Sequence, residues 1–463
     1  MRKLTLAVAL CLGGCAVGPD YKQPETPVDA QFSNTSANYS NADVPAQFWT
    51  LFSEPLLTKL VEQALVTNKD LAISSANLRA ARAARGLARF DLFPAVTASA
   101  SHLRVKQSEH QLPGVPESQR EFDDVDAGFD ASWELDFFGR VRRGVQAARA
   151  EEQAAVAQLR DAQVTVTAEV ARNYFVLRGL QDQLTVAVRN SENQRQTLSL
   201  TEARLDAGRG TELDTSRALA QLQTTLASIP PLRASIASTI YRLSVLTGQM
   251  PTALATELDP IQPLPALPPL NAIGTPEALL RRRPDIRVAE RQLASATARI
   301  GIAVGDLFPR VTFTGSVGYS AGNSNNIGNA GSETYVFGPS ISWAALDLGR
   351  VRSRIQIANA QTDAALAGYE ATVLVALEET EGALVTYGHA QSRRDTLEQA
   401  AVASSRAANL ARQRFEGGLT DFLNVLDAER DALTAQDSLA QSRTQTATSL
   451  IAVYKALGGG WSP

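Results

Sequence analysis

The sequence predicts a mainly helical protein with four β-strands, built from a duplicated unit of helix, strand, strand and long helix. The first observation is an internal repeat, because the sequence DLFP at residues 91–94 recurs at 306–309. Around these sites, residues 70–101 and 285–316 are identical at 13 of 32 aligned positions. The second observation is a pair of strand-like windows in each copy. The third is a long run without proline after each pair, which is typical of an extended helix.

The N-terminus has the pattern of a secretion signal. Met1-Arg2-Lys3 is basic, residues 4–12 are apolar, and two glycines precede Cys15. This spacing predicts a lipoprotein signal peptide over residues 1–14 with acylation of Cys15, although an ordinary signal peptide with an incidental cysteine is the alternative. Cys11 leaves with the signal, so we expect no disulfide in the mature chain. Residues 15–50 then read as an extended, lipid-anchored arm.

Composition excludes several classes of protein. The formal net charge of −4 over 463 residues makes a nucleic acid an unfavourable partner. Beyond the signal there is no run of 18 apolar residues, so the sequence predicts no transmembrane helix. A chain of this kind could cross a membrane only with strands.

Four windows alternate apolar and polar residues, at about 95–106, 124–137, 310–320 and 335–346. Alternation of this length is typical of a transmembrane β-barrel wall, and a soluble sheet packed on helices is the alternative. A sheet in lipid cannot leave its edges unpaired, and four strands are too few to close a barrel. Several chains would therefore share one barrel, with eight strands in a dimer, twelve in a trimer, or more in a larger assembly. An open pore favours the trimer, because an eight-stranded barrel is filled by its own side chains.

Long helices are predicted at about 140–206 and 350–416, each extending roughly 100 Å at 1.5 Å per residue. A cytoplasmic coiled coil is the alternative, and the secretion signal disfavours it. Between the copies, residues 251–275 form a proline-rich linker. The chain thus divides into a first repeat at 51–250 and a second at 276–463.

Each long helix ends in a glycine-containing turn that leads into another helix. Glycine after a helix, followed by threonine or aspartate, is explained by helix capping alone. Their position at the far end of the helices also makes these turns candidate docking tips for a partner. The candidate tip residues are Arg204, Gly208, Gly210, Leu213, Arg414, Gly418 and Leu419.

The mature sequence resembles the outer membrane factor (TolC-like) family, in particular its NodT/OprM-like lipoprotein branch. The resemblance rests on motifs at 15–21, 133–140, 279–286 and 454–461 and covers essentially the whole mature chain. It implies a homotrimer with a 12-stranded outer-membrane barrel, a long periplasmic α-helical barrel and an equatorial domain. It also implies the exit duct of a tripartite efflux pump, which passes drugs or other toxic small molecules out of the cell.

The same resemblance implies partners and a gate. The partners are a periplasmic adaptor (membrane fusion protein), an inner-membrane RND transporter and outer-membrane lipid. The gate residues are Leu423, Asp427 and Arg430, at positions i, i+4 and i+7 of one helix face. A local surface ion pair between Asp427 and Arg430 is the alternative explanation for these charges.

Two other functions stay open at this point. One is a TolC-like duct for type I protein secretion, and the other is a lipid-anchored structural protein without a pore. No catalytic, phosphate-binding or metal-binding motif occurs in the sequence. We therefore expect no enzymatic activity, no cofactor and no metal site.

Overall fold

The computed structural model describes residues 16–33, 39–42 and 44–461. The predicted signal peptide and Cys15 lie outside the described residues. The chain forms two compact units. The first, here called the sheet unit, comprises Asn77–Val156 and Arg287–Glu370 together with residues 16–25. The second, here called the core unit, comprises the described parts of Thr26–Ala76, Ala157–Ile286 and Ala371–Pro463.

The first copy of the repeat begins with two consecutive helices and ends with a helical hairpin. Its long helix matches the predicted proline-free run. In order, its main elements are α1 (Pro55–Thr67), α2 (Lys69–Phe90), β1 (Ala95–Lys106), β2 (Glu121–Leu135), α3 (Arg140–Asp206) and α4 (Glu212–Leu246).

The second copy repeats this order. Its elements are α5 (Pro276–Arg282), α6 (Pro284–Gly305), β3 (Arg310–Ala321), β4 (Glu333–Ser342), α7 (Leu348–Glu416) and α8 (Phe422–Ala456).

Strands β2 and β4 end earlier than the sequence predicts, at Leu135 instead of 137 and at Ser342 instead of 346. After β2 the Asp136 carboxylate accepts hydrogen bonds from the backbone N–H groups of Val141 and Arg142, at 3.1 and 2.9 Å. These bonds satisfy free donors at the start of α3, so Asp136 belongs to the helix start and not to the strand.

The four strands form one antiparallel sheet in the order β1-β2-β3-β4. Facing residues of neighbouring strands lie on the same side of the sheet. One side carries apolar rows, such as Ala98, Phe129, Val317 and Tyr335, which face one another across the four strands. Phe129, Val317 and Tyr335 are all well exposed in the single chain.

The other side of the sheet is polar. Ser132 lies opposite Thr314, and Glu134 lies opposite Thr312. Both long edges of the sheet, β1 and β4, have no strand partner within the described residues. Pro339 lies in β4, where its missing N–H is tolerated because β4 is an edge strand.

The central pair of the sheet, β2 and β3, joins the two copies. At its middle, Gly128 lies opposite Gly318. A Cβ atom on Gly128 would lie 2.8 Å from the Val317 carbonyl oxygen, and one on Gly318 would lie 2.4 Å from that of Ala127. The two backbones approach more closely than any side chain would allow, which explains why both residues are glycine.

The core unit is held by an aromatic centre. Phe48 stacks on Tyr454 with ring centroids 5.1 Å apart, and Phe52 packs on Phe175 at 4.8 Å. Phe48 comes from a short 3-10 turn, Phe175 from α3 and Tyr454 from α8. Large buried aromatic pairs dominate core energetics, so this centre fixes the N-terminal turn against both copies of the repeat.

A buried arginine ties the start of the second copy to the C-terminal helix. The Arg283 guanidinium makes two bonds to Asp285, at 3.1 and 2.7 Å, and one to Glu379 at 2.7 Å. It also donates to the Ala456 carbonyl oxygen at 3.0 Å. This bidentate pairing explains why the 279–286 motif has arginine and aspartate at these positions.

The fold class is confirmed: the chain is mainly helical, with four antiparallel strands in two helix–strand–strand–helix repeats. Within the described ranges, no helix has a stretch both long and apolar enough to cross a membrane.

Candidate functional site: the two helical tips

The first tip, residues 204–214, connects α3 to α4. Gly208 has a φ of +68° and closes α3. Its N–H donates to the Leu205 carbonyl at 2.9 Å, and the Arg209 N–H donates to the Arg204 carbonyl at 2.8 Å. These two bonds form a Schellman motif, which satisfies carbonyl groups left free at the helix end. Glycine is therefore required at 208 by backbone conformation alone.

The second tip, residues 414–424, repeats this geometry between α7 and α8. Gly418 has a φ of +74°. Its N–H donates to the Phe415 carbonyl at 2.9 Å, and the Leu419 N–H donates to the Arg414 carbonyl at 2.8 Å. The capping explanation for Gly208 and Gly418 thus describes what these two residues do within the chain.

The helices that follow the tips start differently. The Thr211 hydroxyl accepts the Asp214 N–H at 3.3 Å, which caps α4. The Asp421 side chain makes no such bond at the start of α8. Gly210 has a separate steric role, because a Cβ there would lie 3.0 Å from the Leu205 nitrogen.

The two tips are packed against each other. The Arg204 guanidinium of the first tip lies 4.2 Å from the ring centroid of Phe415 in the second. Phe415 in turn packs on Phe422, with ring centroids 5.7 Å apart. Ala218 of α4 and Val425 of α8 complete this small apolar cluster. Arg204 is one of the predicted tip residues, whereas Phe415 was not predicted from the sequence.

Two of the predicted tip residues, both leucines, lie outside this cluster. Leu213 is 57 % exposed and Leu419 is 72 % exposed, one on each tip. Arg414 of the second tip is exposed as well. Exposed leucines on the tips are the kind of apolar surface that a partner helix could cover.

The three predicted gate residues lie together on the exposed side of α8. Leu423, Asp427 and Arg430 are all exposed, whereas Phe422 and Val425 point into the tip cluster. Asp427 and Arg430 form no ion pair with each other in the described chain. The alternative explanation, a local surface pair, is therefore not seen, and both charges face outward.

Glu429, which the sequence analysis missed, is a buried carboxylate between Asp427 and Arg430. It accepts the Thr197 hydroxyl at 2.8 Å and the Arg412 guanidinium at 2.6 Å. Glu429 therefore links α8 to both long helices. The available signal was spacing, because Glu429 lies four residues after Val425, on the apolar face of an otherwise amphipathic helix.

A polar cavity of about 680 Å³ lies beside Glu429, between α3, α7 and α8. Gln436 accepts bonds from Arg189 and Asn190 in its wall, at 2.8 and 2.9 Å. Gln194 Oε1 and Arg412 Nε are buried without a partner here. Buried polar groups of this kind are normally met by ordered water, and this polar cavity is large enough to hold it.

No arrangement of three or more His, Cys, Asp or Glu residues that could hold a metal occurs in the described part of the chain. Glu379 and Glu381, from an acidic run on α7, are used within the chain instead. Glu379 pairs with Arg283, and Glu381 accepts the Ser33 backbone N–H at 2.7 Å.

The comparisons with known proteins agree over the whole chain. The family profile described as "Outer membrane efflux protein" matches residues 60–249 and 275–459. The solvent efflux pump outer membrane protein SrpC of Pseudomonas putida is 32% identical, with 100% of this chain and 98% of that protein covered. Nodulation protein T of Rhizobium leguminosarum bv. trifolii is 31% identical, with coverage of 100% and 98%.

A solved structure of the outer-membrane channel OprN superposes with a TM-score of 0.90 at 45% identity. The superposition covers 97% of this chain and 100% of that one. The resemblance predicted from sequence motifs is thereby confirmed, as is the expectation that the chain is not an enzyme. The chain belongs to the outer membrane efflux protein family and is the outer-membrane channel component of an efflux pump.

Proposed function

We propose that three copies of this chain form an exit duct for small toxic molecules such as organic solvents or drugs. The duct receives them from an inner-membrane RND transporter through a periplasmic adaptor and releases them outside the cell. The observation that carries the proposal is the sheet, which has one apolar side, one polar side and two unpaired edges. A similar protein is named a solvent efflux pump component, which supports this cargo class.

The unpaired edges favour a shared, closed sheet. Backbone groups left free in lipid cost several kcal/mol each, so β1 and β4 need strand partners. Three copies supply twelve strands, with the apolar side towards lipid and the polar side towards the lumen. Eight strands from two copies would leave an interior filled by side chains. The trimer is therefore the smallest assembly that supports an open duct.

The tips provide the surface for the adaptor. Leu213 and Leu419 are exposed on rigid, Schellman-capped turns, so they are presented without loop ordering. The gate lies one helical turn away, with Leu423, Asp427 and Arg430 directed outward from α8. In a trimer, three such faces can meet, and ion pairs between chains would be worth about 0–1 kcal/mol each. A partner that binds the tips could overcome that bias.

The chain is further proposed to be a lipoprotein acylated at Cys15. The N-terminal segment that follows this cysteine is docked on the chain from residue 16, and the docking is described below.

Purified protein in detergent tests the duct directly. Native mass spectrometry is expected to give the mass of three chains, and planar bilayers are expected to show discrete conductance steps. A stable trimer without conductance would instead support a structural protein without a pore. A photo-crosslinker at Leu213 or Leu419, which are exposed on the tips, then identifies the adaptor. Recovery of an RND-type adaptor supports the proposal, and recovery of only a type I secretion adaptor would overturn the cargo class.

A further inference from the structure

Arg143, near the start of α3, is buried and binds the N-terminal segment of its own chain. Its Nε donates to the Val17 carbonyl oxygen at 3.0 Å, and its Nη2 donates to that of Gly18 at 3.0 Å and to that of Ala16 at 3.4 Å. Its Nη1 donates to the Asp20 carboxylate at 2.8 Å. One guanidinium thus binds four residues of a segment that has no regular secondary structure to hold it in place, namely Ala16, Val17, Gly18 and Asp20.

The backbone around Arg143 is shaped to this segment. The Val17 N–H donates to the Phe138 carbonyl at 3.0 Å. Gly139 has a φ of +83°, and a Cβ there would lie 2.5 Å from the Cα of Ala16. Only glycine therefore fits at position 139, where the backbone contacts Ala16 directly.

On its other side, the N-terminal segment is in equally close contact with α6. Gly18 has a φ of +85°, and a Cβ there would lie 2.5 Å from the Cα of Gly301 in α6. Further along, the Tyr21 hydroxyl donates to the buried Glu290 at 2.8 Å. The Arg291 guanidinium lies 5.2 Å from the Tyr21 ring centroid. The segment 16–21 is thus held from Ala16 to Tyr21 by polar, steric and aromatic contacts.

The second copy of the repeat lacks this arrangement. Position 353 corresponds to Arg143 and is serine. The neighbouring Arg354 takes another role and reaches Asp306 at 3.4 Å. The walls of the two copies are otherwise closely similar, with glycine at both 139 and 349. A chain has one N-terminal segment, and only the first copy of the repeat has the arginine that binds it.

We propose that Arg143, Gly139 and Gly301 form a binding site, here called the cradle, for the mature N-terminus of the same chain. The cradle fixes residues 16–21 at the junction of β2 and α3. An acylated Cys15 is then attached to the duct through a single peptide unit, about 3.8 Å long. The lipid enters the bilayer next to the foot of the sheet instead of at the end of a free arm. The docking stands on the contacts above, and only its role for the lipid rests on the proposed acylation.

A spin label tests the docking. With Cys15 acylated, a cysteine introduced by Lys22→Cys is the only free thiol, because the chain has just two natural cysteines and Cys11 lies in the signal. Lys22 is exposed and follows the cradle-bound segment directly. In the full-length assembly we expect a slow, immobilised spectrum. Arg143→Gln is expected to convert it to a fast spectrum, whereas Arg172→Gln, at an exposed position further along the same helix, leaves it unchanged.

A second variant guards against a folding defect in α3. Gly18→Ala changes only the bound segment and clashes with Gly301, so it is expected to mobilise the label while the assembly keeps its size on a native gel. An unchanged spectrum in both Arg143→Gln and Gly18→Ala, or equal mobility in Arg172→Gln, would overturn the cradle.

Acylation is measured separately. Incorporation of labelled palmitate tests Cys15, and a Cys15→Ser form exported with a conventional cleavable signal tests docking without lipid. An immobilised label in this form supports a cradle that acts before and without acylation. A mobile label in it would overturn the cradle, whatever the palmitate result. Absence of palmitate from the natural protein would refute the lipid anchor alone.

Discussion

Glu429 accepts a hydrogen bond of 2.8 Å from Thr197, so a buried carboxylate of the second copy is joined to the long helix of the first. Asp427 and Arg430 stand two residues before and one residue after it on the exposed side of the same helix. The rotation of α8 about its axis, and hence the direction of the proposed gate residues, is therefore set by a residue that faces away from them.

Removal of this carboxylate is expected to loosen the hairpin. Glu429→Ala leaves Arg412 and Thr197 without their partner, and bonds to charged groups contribute about 1.5–3 kcal/mol. We expect a lower thermal melting temperature of the helical signal in circular dichroism. The matched control is Asp427→Ala, which changes an exposed carboxylate on the same helix and should leave the melting temperature unchanged. Equal melting temperatures for all three proteins would contradict the buried link.

Asp427, the exposed carboxylate, is expected to affect conductance instead of the melting temperature. Asp427→Ala is expected to raise closed-state conductance in planar bilayers, because in the proposed trimer it would remove an ion pair between chains worth about 0–1 kcal/mol. Three such pairs would bias the proposed gate by about 1–3 kcal/mol. Arg217→Ala is the control, since Arg217 occupies the equivalent position in the first copy. Unchanged conductance in Asp427→Ala would remove Asp427 from the gate.

The tip glycines should respond to substitution with a definite sign. Gly208→Ala and Gly418→Ala force alanine into the left-handed region, at a cost of roughly 1–2 kcal/mol each. Gly382 is exposed within α7 and has open space around its Cα, so Gly382→Ala should stabilise the protein by about 0.5–1 kcal/mol. Chemical denaturation compares the three variants. Stabilisation by alanine at 208 or 418 would show that the turn does not need positive φ.

Asp161 provides a pH-dependent contribution. Burial raises the pKa of its carboxyl group, and the nearby Asp285 carboxylate raises it further. The folded state therefore binds this proton more tightly than the unfolded state, whose aspartate has a pKa of about 3.9. The contribution of this proton to the free energy of unfolding is fully present below the unfolded pKa. It is lost as the pH rises through the pKa of Asp161 in the folded state.

Asp161→Asn removes this loss, since the amide stays neutral. We expect a higher melting temperature than wild type at pH 7 and little difference below pH of about 4. Asp363→Asn, at an exposed position on α7, serves as the control. A lower melting temperature for Asp161→Asn at pH 7 would show that Arg283 and Lys455 stabilise the charged form more than burial disfavours it.

The contact between α3 and α8 depends on one missing side chain. A Cβ on Gly179 would lie 1.9 Å from Thr444 Oγ1 and 2.6 Å from its Cγ2. Gly179→Ala is therefore expected to destabilise the core unit by about 1–3 kcal/mol, the usual cost of overpacking. Thr444→Ala removes both atoms, so the double variant should recover part of the loss in a double-mutant cycle. Strict additivity would contradict this contact.

The sequence predicted the elements that repetition and periodicity report directly. The long helices and the four strands follow from the proline-free runs and from alternation, and the tip glycines follow from helix capping. Trp133 and Trp343 show why the repeat is easy to detect in the sequence. Their indole N–H groups donate to the Leu92 and Leu307 carbonyls at 3.0 Å each, so both copies preserve the same bond to the DLFP turn.

Other features depend on contacts between distant parts of the chain. Glu429 is 232 positions from Thr197, and Arg143 is 126 from Val17. A charged residue on a helix reads as solvent-exposed unless its partners are known, and neither partner is encoded locally. The exact end of β2 was missed for a similar reason, because the Asp136 side chain binds the start of the following helix.

The pair Gly128 and Gly318 limits how symmetric an assembled ring could be. Where one chain meets the next, the equivalent positions are Gly338 on β4 and Leu103 on β1. A leucine cannot occupy the place of Gly318, where even a Cβ would lie 2.4 Å from the facing carbonyl oxygen. In the proposed trimer, three narrow strand junctions within chains therefore alternate with three wider ones between chains. The wall of such a trimer would contain six copies of the repeat, but its strand spacing would repeat only three times around the ring.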